Sequence, residues 1–128
     1  MSNENIKLNF VILCDNAFIA QGTNSLNIIG IFDRIGAPKF PAVHPRLVVV
    51  TNISGEPGEY NQLTVIKNKM TGDKIAELVG KLVINKIGQR AQFLGNFFNL
   101  VFPSSGEYIV EVYINNILQD LTANIYVG

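Results

Sequence analysis

Turn signals punctuate the chain at short, even intervals, and that spacing restricts it to a β architecture. Gly22-Thr23-Asn24, Ser54-Gly55-Glu56-Pro57-Gly58-Glu59, Met70-Thr71-Gly72-Asp73, Lys86 to Arg90 around Gly88, Pro103-Ser104-Ser105-Gly106 and Asn115-Asn116 are clusters of chain-breaking residues. Between them lie apolar runs at 6–14, 26–35, 46–53, 60–66, 75–84, 91–102, 108–115 and 117–127. Several alternate with period two, as Tyr108, Val110, Val112 and Ile114 do against Ile109, Glu111 and Tyr113. A helix over 74–84 is the one competing assignment. The alternation of Leu78, Leu82 and Ile84 with Glu77, Lys81 and Asn85 favours a strand there. Asn115-Asn116 is suited to a two-residue hairpin turn, because Asn tolerates positive φ.

About eight strands with no convincing helix predict an all-β fold, an antiparallel β-sandwich of about 7–9 strands, immunoglobulin-like or a related Greek key. No repeat or linker interrupts the chain, so residues 1–128 read as a single domain with a tail at 1–4. Pro38, Pro41 and Pro45 stiffen the stretch between two strands and predict an extended crossover over 36–45. Proline is not expected inside a ladder, so the next strand is expected to begin at Arg46. The run 26–35 is apolar on both faces, which predicts a central or partner-covered strand. Gly30 in its middle predicts a bulge or a close neighbour. Over 91–102, alternation sets Leu94, Phe98, Leu100 and Phe102 on one face and Phe93, Phe97 and Val101 on the other.

Charged residues make up only 16% of the chain, against about 25% in an average globular protein. Few charges remain to wet the surface, so a homo-oligomer is expected, a dimer first, with a protein partner as the other source of cover. Ten basic and ten acidic residues cancel and no basic cluster exists, which argues against nucleic acid. No run is long enough for a membrane helix, and the polar start Met1-Ser2-Asn3-Glu4-Asn5 lacks a basic leader. With Cys14 the single cysteine, a cytoplasmic location is expected.

The segment Cys14-Asp15-Asn16-Ala17, Leu26 to Ile35, Ala37-Pro38, Phe40-Pro41 and His44-Pro45, with Pro103, Gly106, Glu107 and Tyr108, resembles a family of small prokaryotic proteins classed as a domain of unknown function. That resemblance covers nearly the whole chain. It implies an all-β sandwich and no particular activity. The closing hairpin is also similar to the end of many immunoglobulin-like modules.

No phosphate-binding glycine loop or nucleophile elbow occurs, and no cofactor is expected. One His and one Cys cannot build a structural zinc site, and Asp15, Asn16, Asp33 and Asp120 lack EF-hand spacing, so no metal is expected. Cys14 with His44, oriented by Asp15 or Asp33, is the one nucleophile–base pair to test for a hydrolase or transferase. Glu107 and Glu111 share a strand face but read as solvated carboxylates. Phe93, Phe97, Tyr113 and Tyr126 form a carbohydrate-binding face if exposed together. The leading expectation is a non-enzymatic, self-associating binding or structural module. Its binding residues would be Asp33, Arg34, Phe40 and His44, at the proline loop. Asp33 and Arg34 would pair to pin that loop or line a recognition site with His44.

Overall fold

A computed structural model describes residues 6–128; the tail expected at 1–4 lies outside the described residues. Among the described residues nine strands form: β1 (Ile6–Ile19), β2 (Leu26–Ile31), β3 (Arg34–Ile35), β4 (Ala42–Gly55), β5 (Gly58–Asn68), β6 (Lys74–Ile84), β7 (Arg90–Phe102), β8 (Gly106–Ile114) and β9 (Ile117–Val127). They make two packed sheets, ordered β2-β1-β4-β7 and β3-β9-β8-β5-β6. All pairings are antiparallel except β3 with β9. The all-β sandwich therefore stands. Among the described residues no helix is long and apolar enough to cross a membrane.

Two clusters fill the space between the sheets. One joins Leu13, Leu47, Val49 and Phe97 with Ile66, Phe102, Tyr108, Val110 and Ile125. The other joins Leu8 and Ile53 with Leu82, Ile84, Val112 and Ile114. Phe102 meets Tyr108 edge-on at 4.9 Å, and Tyr108 donates its hydroxyl to Ser104 O at 2.7 Å. Buried polar side chains satisfy one another: Gln62 Nε2 donates to Thr51 Oγ1 at 2.9 Å and to Thr64 Oγ1 at 3.1 Å. At one side β6 and β7 interlock, because the ring of Phe93 occupies the space a Cβ on Gly80 would need.

Several expectations need correction. β1 continues through Asp15 to Ile19 and forms a hairpin with β2, closed by the turn at Gly22-Thr23-Asn24. The run 26–35 is two strands in two sheets, not one central strand. β2 is an edge, and its Ile29 and Ile31 are exposed. Phe32 and Asp33 carry the chain across to β3, where Arg34 pairs with Tyr126 and Ile35 with Val127. The crossover is shorter than expected, since β4 starts at Ala42 and includes Pro45.

Proline is tolerated because the ladder skips it. His44 pairs with Leu100 and Arg46 with Phe98, and no pairing joins Pro45 to Asn99. Asn99 has φ +53°, a left-handed conformation that Asn accepts more readily than other non-glycine residues. That one residue shifts the alternation of β7. Phe97, Leu100 and Phe102 are buried in the core, whereas Phe98 and Val101 are exposed. The simple period-two reading of 91–102 therefore holds on each side of Asn99 but not across it. His44, opposite Leu100, turns towards the interior in the same step.

A cleft at the end of the sandwich

Near Asp15 the other side of the four-stranded sheet carries a matching irregularity. Cys14 pairs with Ile31 and Asn16 with Ile29, but Asp15 and Gly30 do not pair. Gly30 sits at φ +72°, and a Cβ there would collide with Asp15 Oδ2. The neighbour implied by a mid-strand glycine is thus the Asp15 carboxylate.

The two breaks flank one cleft of about 300 Å³, lined by Asp15, Phe32, Arg34, Ile35, Gly36 and His44. Phe32 supplies an apolar wall, its ring 5.9 Å from that of His44. His44 Nε2 is buried and has no hydrogen-bond partner. Arg34 is exposed, and its guanidinium lies 4.7 Å from the centroid of the Tyr126 ring. Stacking on an aromatic face holds the cation in place and leaves its N–H groups available. The chain is anchored beneath it by Tyr126 N donating to Asp33 O at 2.9 Å and Gly128 N to Ile35 O at 3.0 Å.

Of the four expected binding residues, the cleft brings together Arg34 and His44. Asp33 is exposed and contributes its carbonyl to β9; no ion pair joins it to Arg34. Phe40 is half-buried and packs on the core. Asp15, Phe32, Ile35 and Gly36 complete the lining, and the signal for Asp15 was Gly30. A second cleft of about 330 Å³ lies between Ile6–Asn9 of β1 and Gln119–Leu121 of β9.

The other candidates separate. Cys14 is fully buried, with Sγ 3.6 Å from Val48 O, among Val48, Val50, Phe10 and Leu94 on the outer face of the four-stranded sheet. Its Cα partner is Val48, four residues from His44, or about 13 Å along the strand at ~3.3 Å per residue. Burial pushes its thiol above the ordinary value, the reverse of what activates a nucleophile. A thiol that stays protonated in the folded state and ionises more readily in the unfolded one loses stability as pH rises. The stabilisation is complete below the unfolded value of about 8.5 and declines above it. Urea midpoints should therefore fall between about pH 8 and pH 10, and Cys14→Ala should flatten that slope.

Phe93 and Phe97 face inward rather than forming a sugar platform; Phe97 is buried and Phe93 fills the Gly80 gap. Glu111 pairs with Lys67 at 2.9 Å and Glu107 lies 4.0 Å from Lys69, so neither carboxylate faces the other across a cleft. Among the described residues no group of three or more His, Cys, Asp or Glu side chains is placed to hold a metal ion.

No curated protein matches the chain. A family model described as "Family of unknown function (DUF6941)" matches residues 9–127, which include every residue lining the cleft. The chain belongs to that family of unknown function.

Proposed function

We propose that the protein is a non-enzymatic binding module whose end cleft takes a small ligand bearing both an anionic group and a hydrogen-bond donor. The observation that carries this reading is His44 Nε2, buried in the cleft wall with no partner from the protein. Unused buried hydrogen-bonding capacity is uncommon in a native fold, and a ligand that reaches it gains from completing it. Arg34 supplies a fixed cation and Asp15 an anion, so the cleft offers complementary charge at both ends of such a ligand. Phe32 and Ile35 cover its apolar body. A volume of about 300 Å³ matches the lower end of small-molecule sites. A reducing, cytoplasmic setting fits a lone, buried, unpaired cysteine.

The test is isothermal titration with a panel of amino acids, which carry both groups, and of short dicarboxylates, which lack the donor and are expected to bind more weakly beside Asp15. For any that bind, Arg34→Gln is expected to weaken affinity by about 10-fold or more, the loss of one charge-assisted hydrogen bond. Affinity unchanged in both Arg34→Gln and His44→Ala would place the ligand elsewhere.

A further inference from the structure

We infer that the outer face of the four-stranded sheet is a homodimer interface centred on Val43, Phe98 and Val101. The two outer faces of this sandwich are dressed differently. All four ion pairs among the described residues lie on the five-stranded side: Lys67–Glu111, Lys69–Glu107, Lys74–Glu77 and Lys81–Glu59. The strands of the four-stranded sheet contain only Lys7, Asp15, Arg46 and Arg90 as charged residues. Residues 91–106, covering nearly all of β7, contain none.

In place of charges this face carries exposed apolar side chains. Phe98 is 64% exposed, Val43 60% and Val101 47%. They are contiguous, since Val43 pairs with Val101 and Arg46 with Phe98 across β4 and β7. Asn99 turns Phe98 and Val101 outward, so their exposure is built into the backbone. Arg46 is already engaged: its Nη2 donates to Asn96 Oδ1 at 2.8 Å and Asn16 Oδ1 at 3.0 Å, and its guanidinium lies 6.0 Å from the centroid of the Phe98 ring. An aromatic ring beside a held arginine is a common composition for an interface centre.

The occupant is a second copy of this chain. An apolar face almost free of charge can meet itself about a two-fold axis without opposing like charges. A strongly charged partner would find little to complement it there. Four strands about 4.8 Å apart and about ten residues long give a face of roughly 600 Å² in plan, close to the ~800 Å² per partner of a standard interface. This inference is independent of the ligand reading, because the cleft lies at the end of the sandwich and its lining excludes these residues.

Sedimentation equilibrium of the full chain from about 1 to about 100 μM tests it. The expected mass is twice the 14.1 kDa of one chain. Phe98→Glu and Val101→Glu should each raise the dissociation constant by about 100-fold or more, with the far-UV β signal retained. Val79→Glu, on the opposite outer face at a site 73% exposed, should leave it unchanged. Should one of the two variants lose its β signal, the other and Val43→Lys carry the comparison. A monomer throughout the range, a dimer indifferent to these variants, or one dissociated by Val79→Glu would overturn the inference.

Discussion

Phe102→Ala is expected to lower the free energy of unfolding by about 3–5 kcal/mol, against a total of about 5–15 for a domain of this class. Phe102 is fully buried where both sheets meet, edge-on to Tyr108. Truncation removes that contact and leaves a cavity the two sheets cannot close. Phe98→Ala, four positions earlier, should cost less than about 1 kcal/mol at concentrations where the protein is monomeric, because that ring is exposed. The contrast is diagnostic. In an uninterrupted strand, positions 98 and 102 share a face and would respond alike. Only the left-handed step at Asn99 separates them. Urea unfolding of both variants measures the difference, and similar losses would contradict the switch of faces.

Gly30→Val should destabilise by about 2–3 kcal/mol through backbone conformation alone. A β-branched residue is poorly tolerated at φ +72°. Its Cβ would also collide with Asp15 Oδ2, so the carboxylate must swing away. The variant therefore carries a second consequence that an ordinary core substitution lacks: it moves Asp15 out of its place in the cleft. Gly22→Val is a suitable control. Gly22 also has positive φ but nothing lies near its Cβ, so it should lose stability without disturbing the cleft. Thermal unfolding together with ligand titration separates the two effects. Equal losses of ligand affinity in both variants would mean that Asp15 has no role in binding.

Most of the fold was legible because strands announce themselves by local pattern. Asn115 and Asn116 do adopt positive φ, at +50° and +69°, and join Ile114 to Ile117 in a two-residue hairpin. Residues 74–84 form β6, as their alternation indicated. What escaped were features set by partners distant in sequence. Pro45 can sit within β4 only because Asn99, on the neighbouring strand, vacates the pairing opposite it. The run 26–35 divides between Phe32, whose N still donates to Leu13 O of β1 at 3.1 Å, and Asp33, whose O accepts from Tyr126 N of β9 at 2.9 Å. Neither event has a signature in its own segment.

The site was legible in part for the same reason. Arg34 and His44 stood out as polar residues beside a rigid, proline-rich connection, and both line the cleft. Asp33 and Phe40 carried the same local signal but point to other work: one supplies a carbonyl to β9, the other packs on the core. Asp15 enters the cleft through a break in strand pairing that is visible only once β1 and β2 are aligned.

The most direct measurement is a ¹H–¹⁵N correlation spectrum of the protein titrated with the amino acid and dicarboxylate panel. The expected result is a set of saturable shifts at Asp15, Phe32, Arg34, Gly36 and His44, lost in Arg34→Gln while the rest of the spectrum is retained. Shifts confined to Ile6–Asn9 and Gln119–Leu121, or a spectrum unmoved by every compound at millimolar concentration, would contradict the assignment of this cleft as the binding site.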